Sequence, residues 1–437
     1  MVLDTFRDIF RIPELRRRIL VTLGLLAVYR VGAHVPVPGI DSSALIQFFD
    51  QMRGTIFGMI DLFAGGAFRR MSIFALGIMP YITASIIIQL LIPVFPNLEK
   101  LQREEEGRRK IVQYTRIGTM FIALFQSLGI AIWLENPANF QGRLIVPFPG
   151  WSFRLLTMIT VTAGTAFLMW LGEQITEKGI GNGISLIIFA GIVARYPVYF
   201  MRTLISIRNR QFSLFSFAIL VVFMVLVVAG VVLITQAQRK IPVQYARRVV
   251  GRRVFGGQTT YLPLRVNQAG VIPIIFAISI LQFPQTITSF FGASNPAFKQ
   301  FAMVFSTYHP VGMTLYAILI VFFTYFYTAI TFNPQEIADN IKRYGGFIPG
   351  IRPGKATAEY LDRIMTRIAF PGGLYLAVIA LLPIFLTKWL HVPFYFGGTS
   401  LLIVVGVALD TLQQIESHLL MRQYEGFITK GRLRGRF

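Results

Sequence analysis

Residues 211–238 read QFSLFSFAILVVFMVLVVAGVVLITQAQ, a run that contains no Asp, Glu, Lys or Arg. A helix needs roughly 20 residues to cross about 30 Å of hydrocarbon, so this run is long enough to span a membrane. Hydrophobic residues make up 54% of the chain, and such a fraction exceeds what a soluble core of this size hides. The sequence therefore predicts an all-α, polytopic membrane protein. Its ten predicted spans lie in residues 19–35, 71–98, 117–134, 155–172, 179–201, 211–238, 266–298, 300–335, 368–387 and 389–409.

Lys and Arg are concentrated in alternate connections between these runs. One set of connections holds 30 of the 42 Lys and Arg residues, and the other set holds 10. The richer set is expected on the cytoplasmic side, together with both termini. The net charge of +22 is then a property of that face. It is explained either by topology and lipid contact or by binding of an acidic partner. The richer segments are 1–18, 93–116, 172–183, 237–269, 332–367 and 413–437.

Five spans precede residues 202–213 and five follow them. An odd number of crossings places the two halves in opposite orientations, so an inverted repeat is a reasonable expectation, although no internal sequence identity supports it. The predicted divisions are a cytoplasmic amphipathic segment 1–18, an N-terminal half 19–201, a hinge loop 202–213, a C-terminal half 214–412 with cytoplasmic loops 237–268 and 332–367, and a cytoplasmic tail 413–437.

Residues 55–67, TIFGMIDLFAGGA, are apolar but too short to cross a bilayer. Asp61 lies in the middle of this segment and Gly65-Gly66 near its end. The pattern predicts a short helix stopped by glycines, which either re-enters the membrane or lies in an external loop.

Two cytoplasmic connections have the composition of folded loops. In the first, Val254-Phe255 and residues 258–264 flank Gly256-Gly257 and predict a hairpin with a two-glycine turn. In the second, Pro349-Gly350 and Pro353-Gly354 bracket Arg352 with two turns. Both loops suit a solvated membrane surface, and arginines on fixed loops also suit phosphate or carboxylate recognition.

Catalytic and cofactor chemistry is not indicated. The chain has no cysteine, its four histidines are scattered, and no nucleophile with a neighbouring base is evident. Few charges lie within the predicted spans, chiefly Arg30, which disfavours an ion-coupled carrier. Two isoleucine pairs at i, i+4 spacing, Ile78 with Ile82 and Ile184 with Ile188, each share a helix face, as packing or lipid-facing residues commonly do.

Several longer motifs resemble the bacterial branch of the SecY/Sec61-alpha family, in the same order and over essentially the whole chain. They are SIFALGIMPYITASIIIQLL (72–91), GIGNGISLIIFAGIV (179–193), GVIPIIFA (270–277), GGFIPGIRPG (345–354) and FYFGGTSLLIVV (394–405). The resemblance implies a plasma-membrane channel that translocates unfolded secretory polypeptides and releases transmembrane segments sideways into lipid. It also implies two pseudo-symmetric, inverted halves around an hourglass pore closed by a plug helix.

The family's site residues map onto this chain by motif. A pore ring corresponds to Ile78, Ile82, Ile184, Ile188, Ile275 and Ile403. The plug corresponds to Thr55, Ile56, Phe57, Gly58, Met59, Ile60, Asp61, Leu62, Phe63, Ala64, Gly65 and Gly66, with Ala64 standing where serine is expected. A lateral gate corresponds to Thr83, Gln126 and Asn267, whose mutual hydrogen bonds are expected to hold it shut. Docking arginines correspond to Arg247, Arg248, Arg252, Arg253 and Arg352.

Partners follow from the same resemblance: the SecE and SecG subunits, the SecA motor ATPase, the ribosome with its RNA and proteins, signal peptides, nascent polypeptides and membrane lipids. No cofactor or metal is implied. Two other classes stay open, an ion-coupled secondary transporter and an insertase scaffold without a pore. A transporter needs charged residues facing a midplane site, and a scaffold has no need of an isoleucine ring.

Overall fold

The computed structural model describes residues 12–51, 61, 64–140, 142–210, 213–245, 248–250, 253–255, 259–291, 304–306, 309–390 and 398–430. The helices are α1 Pro13–Gly32, α2 Ser42–Gln51, α3 Met79–Leu91, α4 Pro96–Arg103, α5 Glu105–Glu135, α6 Trp151–Lys178, α7 Gly183–Val193, α8 Tyr196–Arg208, α9 Leu214–Gln236, α10 Ile272–Phe291, α11 Pro310–Thr331, α12 Pro334–Arg343, α13 Lys355–Leu390 and α14 Gly398–Lys430. The strands are β1 Gln238–Tyr245, β2 Arg248–Val250, β3 Arg253–Phe255, β4 Thr259–Arg265 and β5 Gly346–Phe347.

Each predicted span contains a helix, and the chain is a multi-pass, largely helical membrane protein. Within the described residues, seven helices are long and apolar enough to cross a membrane, or eight if the bent pair α3 and α4 counts as one span. These two helices meet at 109°. Helices α1 and α10 occupy two further predicted runs. The full count of ten crossings therefore stays a prediction.

Helix starts follow local sequence signals. Proline stands in the first two positions of several helices, where its missing N–H has no intrahelical partner to lose. The Asn182 side chain caps α7 by accepting bonds from the backbone N–H groups of Ile184 and Ser185, at 3.1 and 3.2 Å. The Ser213 hydroxyl caps α9 in the same way. These caps fix where helices α7 and α9 begin.

The connection between the halves is shorter than the predicted hinge 202–213. Helix α8 continues through this stretch to Arg208, Arg210 adopts a left-handed conformation with φ of 58°, and Ser213 begins α9. Similarly, α14 continues beyond residue 412 into the predicted tail. Both helices therefore extend past the apolar runs that predicted them.

The two halves meet along two seams. At the first seam, α10 of the C-terminal half contacts α3 and α5 of the N-terminal half. At the second seam, α14 contacts α7. The main apolar cluster runs across both seams and includes buried residues of all five helices. Any path between the halves must therefore pass these helices.

The β-hairpin prediction was wrong in its pairing. Strand β3 pairs with β2, and β4 pairs with β1, for example Ile241 with Leu262. The tight connection of the inner hairpin therefore lies between Val250 and Arg253. Gly256-Gly257, the predicted turn, lies outside the described residues. Strand β4 pairs with β1 rather than with Val254-Phe255, because β1 is long enough to pair along the whole of β4.

Candidate pore, gate and docking surface

The six isoleucines of the predicted pore ring come from the helices that form the two seams. Ile78 precedes α3 and Ile82 lies one turn into it, Ile184 and Ile188 lie in α7, Ile275 in α10 and Ile403 in α14. Five of them belong to the main apolar cluster and are at most 5% exposed. Ile184 is half-buried and packs against the same cluster. The structure thus brings residues that are more than 300 positions apart in sequence into one apolar region.

The end of the predicted plug packs beside this region. Residues 55–60, 62 and 63 lie outside the described residues, whereas Asp61 and residues 64–66 are described. Ala64 is 1% exposed, and a Cβ built on Gly77 would lie 3.2 Å from Ala64 Cα. Because Gly77 directly precedes Ile78, the segment end lies next to the first pore-ring residue.

Two glycines terminate this segment as the sequence predicts. Gly65 and Gly66 have φ of +64° and +89°, and the Gly66 N–H donates to the Asp61 carbonyl at 2.8 Å. This is the six-to-one bond of a glycine-terminated helix end. Gly65 has no room for a side chain, because an added Cβ would contact the Tyr29 hydroxyl and lie 2.8 Å from Gly191 Cα.

Polar contacts around the segment involve two arginines to which the sequence assigns no role. Arg195 Nη2 lies 2.6 Å from Asp61 Oδ2, and Arg30 Nη1 donates to the Gly65 carbonyl at 2.9 Å. The other Asp61 oxygen, Oδ1, accepts from the Arg69 backbone N–H at 2.9 Å. One feature of the sequence could have indicated these two residues: Arg30 and Arg195 are cations within apolar runs, where an ionisable residue commonly has a buried partner.

The three gate residues lie on or near the first seam. Thr83 is in α3, Gln126 in α5, and Asn267 shortly before α10. Thr83 donates to the Met79 carbonyl and Asn267 Nδ2 to the Gly270 carbonyl, both at 3.1 Å. The expected hydrogen bonds among the three are absent from the described structure. Instead, Gln126 Oε1 and Asn267 Oδ1 are buried and accept no hydrogen bond from the part of the chain that is described.

The two loops that the sequence predicts to be cytoplasmic contribute to one folded unit. Strand β5 of the second loop pairs with β1 of the first, joining Phe347 to Gln244 and Gly346 to Tyr245. A separate apolar cluster, which includes Ile241, Leu264 and Ile348, lies under this sheet. Residues of both loops therefore share a core, and their relative position is fixed by packing.

Arg352 is exposed on this unit and its backbone is fixed on both sides. Gly350 and Gly354 have φ of +83° and +100°, as turns after Pro349 and Pro353 require. The Arg352 carbonyl accepts a hydrogen bond from the Thr357 hydroxyl at 2.9 Å. Arg248 and Arg253 begin strands β2 and β3. Arg247 and Arg252 lie outside the described residues.

A polar cavity of about 400 Å³ lies at the second seam. Its lining combines residues of both halves with the end of strand β4: Asn182, Ser185, Arg265, Asp410, Gln414 and Ser417. The Gly181 N–H donates to Gln414 Oε1 at 2.9 Å, which joins the loop before α7 to α14. Residues of both halves and the end of strand β4 therefore meet around this polar cavity.

The chain is similar in sequence to known translocase subunits. The family model described as SecY matches residues 72–412. "Protein translocase subunit SecY" of Thermus thermophilus is 49% identical over 441 residues, covering 100% of both chains. The protein of the same description from Escherichia coli strain K12 is 50% identical over 425 residues, covering 97% of this chain and 96% of its own.

Solved structures share the fold. "The structure of a protein conducting channel" matches with a TM-score of 0.69 and 19% identity, covering 92% of each chain. "Sec61 in the Canine ribosome-channel complex from the endoplasmic reticulum" matches with a TM-score of 0.64 and 17% identity, again covering 92% of each chain.

Proposed function

This chain belongs to the SecY family, and we propose that substrate polypeptides cross it between the two halves, past the six isoleucines. It is a protein-conducting channel subunit of a translocase and is not an enzyme. The proposal about the path rests on one observation: four of the five helices that meet across the two seams, α3, α7, α10 and α14, carry five of the six isoleucines, and the sixth, Ile78, directly precedes α3.

The chemistry of the isoleucine region suits a seal that yields to a polypeptide. A narrow gap lined by branched aliphatic side chains excludes water and therefore ions. Such side chains offer no hydrogen bonds, so an extended polypeptide displaces them without breaking polar contacts. The five buried isoleucines correspond in this proposal to the closed state, in which residues 55–66 form the plug.

The first seam is proposed as the lateral gate. Helix α10 there faces α3 and α5, and Gln126 and Asn267 each have a buried oxygen without a bond in the described structure. A buried polar atom without a partner destabilises the closed seam by about 1–3 kcal/mol. Removing the Asn267 amide by Asn267→Leu is expected to change the export of precursors with weak signal sequences. Unchanged export by a normally inserted Asn267→Leu protein would refute this gate role.

The folded cytoplasmic unit is proposed as the docking surface for the ribosome and for the SecA motor. The exposed Arg352, held between two turns, suits RNA phosphates and acidic protein surfaces, and RNA binding of this kind weakens steeply with salt. Arg352→Glu is expected to impair docking or motor-driven export without loss of membrane insertion. Lys342→Glu is a matched control, because it makes the same charge change on the exposed face of the neighbouring helix α12. Equal effects of the two variants would argue against a specific role of Arg352.

The remaining assignments are also proposals. The distribution of Lys and Arg supports a cytoplasmic position of both termini, and the bacterial relatives support a plasma-membrane location. SecE and SecG are the proposed companion subunits, and signal peptides, nascent chains and membrane lipids the proposed ligands. An ion-coupled transporter is not favoured, because the buried Asp61 and Arg195 pair with each other and leave neither free to couple ions.

Site-specific crosslinking tests the proposed path. A photoreactive residue at position 82 or 188 is expected to crosslink to a secretory precursor stalled during translocation. Matched probes at Val222 and Leu226, which are 61% and 64% exposed on helix α9, should not react with it. If the precursor reacts equally with all four positions, or only with those on α9, the path does not run past the isoleucines.

A further inference from the structure

Arg195 and Arg30 both bind the short segment 61–66 from different helices. Arg195 lies immediately before α8, and Arg30 lies in the last turn of α1. Arg195 pairs with the Asp61 carboxylate at 2.6 Å, and Arg30 donates to the Gly65 carbonyl at 2.9 Å. The segment is thus bound at its helical part through Asp61 and at its terminating turn through Gly65.

We propose that Asp61, Arg195 and Arg30 form a latch that holds residues 61–66 beside the pore ring and draws them back after a polypeptide has passed. Arg195 and Arg30 are positioning residues, since they act through the segment and need not touch the substrate. This inference rests on the proposed path past the isoleucines.

Because the pair is buried, the segment has a preferred position, the one in which Asp61 and Arg195 are paired. The side chains of Asp61 and Arg195 are 4% and 13% exposed. When residues 61–66 move away, each ion loses its partner while Arg195 stays in its buried surroundings, and an unpaired buried charge is strongly unfavourable. The same penalty that resists opening therefore favours return of the segment to Arg195.

The backbone around the segment is shaped to fit these contacts. Gly65 in the left-handed conformation turns its carbonyl toward Arg30, and helix-end carbonyls are good acceptors for a cation. Gly191 of α7 approaches the turn so closely that a Cβ there would lie 3.1 Å from Gly65 Cα. Glycine on both sides allows the backbone contact that brings Gly65 within reach of Arg30.

Resting ion conductance tests the latch, because a purely structural pair has no reason to change it. The full chain, purified with its companion subunits, is placed in planar bilayers without substrate. Asp61→Asn and Arg195→Gln are each expected to raise the frequency of open events by roughly 100-fold, since each breaks a buried pair. The double variant should add little to either single change, because the two residues share one interaction.

Arg116→Gln is the matched control. It removes an arginine from a pair with Glu173 in which the two side chains are 46% and 26% exposed, and it should leave the resting conductance unchanged. If normally inserted Asp61→Asn and Arg195→Gln channels close as tightly as the unmodified channel, the latch is refuted. Full additivity in the double variant would refute it as well.

A gentler variant covers the case in which the Asp61 and Arg195 variants fail to insert. Arg30→Gln removes the bond to the Gly65 carbonyl and the side-chain contact with Tyr29, leaves no carboxylate unpaired, and should raise open events about tenfold. Tight closure of that variant contradicts the latch. The proposed path is tested separately. If a precursor does not alter conductance through the unmodified channel, the path is refuted. If a precursor does alter it but the variants close as tightly as the unmodified channel, only the latch is refuted.

Discussion

The hairpin of helices α5 and α6 and the segment 61–66 both use arginine–carboxylate pairs, but they depend on them differently. In the hairpin, Arg116 meets Glu173 near one end, and Arg154 meets Glu135 near the other. Between these ends the helices pack through fully buried side chains of both helices, Ala123, Ile130, Val161 and Leu168. In the segment, a buried pair holds Asp61 and an arginine–carbonyl bond holds Gly65.

The difference indicates which contacts are suited to release. Packing of long helices in a membrane is distributed over many small dispersion contacts, so no single bond decides it. Asp61 and Gly65 of the short segment are each bound by an arginine side chain, and under the proposed latch a passing polypeptide disrupts both contacts together. Under the proposed latch, pairs of the same chemistry therefore strengthen a fixed element in one region and control a moving one in the other.

The largest predicted effect comes from crowding the segment. In Gly65→Ala, the new Cβ would contact the Tyr29 hydroxyl and lie 2.8 Å from Gly191 Cα, so residues 64–66 must shift away. We expect frequent open events without substrate and near-normal thermal stability of the assembled channel. Gly142→Ala is the control, because Gly142 has a similar φ of +82° but open space around a new Cβ. Equal conductance of the two variants would show that the close contact does not hold the segment.

A smaller effect, of a different kind, is predicted at the better-buried hairpin pair. Glu135 Oε2 accepts from Arg154 Nε at 2.8 Å and Nη2 at 2.6 Å, and its Oε1 accepts from the Gly150 N–H at 2.9 Å. Glu135→Gln should lower the free energy of unfolding by about 1–3 kcal/mol, because it leaves charged donors poorly satisfied. The melting temperature of the purified channel measures this loss, whereas resting conductance should not change. A leak in this variant would mean that the hairpin also takes part in gating.

The smallest effect is predicted at the exposed hairpin pair. Arg116 Nε and Nη2 donate to the two Glu173 oxygens, each at 2.8 Å, but Arg116 is 46% exposed. Arg116→Gln should change stability by no more than about 1 kcal/mol, since solvent screens such pairs. Thermal unfolding at low and high salt is the check. A loss as large as that of Glu135→Gln would contradict the contrast between the two ends.

The sequence predicted the helical membrane fold and the location of its apolar runs because spanning a bilayer is a requirement on about 20 neighbouring residues. It also predicted that glycines end the short segment, since a left-handed turn favours glycine locally. Its hairpin assignment failed because the partner of strand β4 is β1, which precedes an inserted inner hairpin.

The polar contacts around the segment could not be predicted either, because they also join residues that are far apart in sequence. Arg195 and Asp61 are separated by most of the N-terminal half, and nothing in local periodicity indicates that they meet. Likewise, the extension of α8 to Arg208 is not visible in an apolar run that ends near residue 201. The isoleucines were found by resemblance, because residues this far apart in sequence meet only in the folded chain.

A reversible disulfide between the segment and the residue beside the pore ring tests whether polypeptides pass where the segment lies. A Cβ at Gly77 would lie 3.5 Å from Ala64 Cβ, within the range of disulfide Cβ separations, and the chain has no other cysteine. In the Ala64→Cys/Gly77→Cys channel, oxidation should stop translocation of a secretory precursor and reduction should restore it, while each single-cysteine channel stays active. Undiminished translocation through a fully oxidised double variant would show that polypeptides do not pass where residues 61–66 lie.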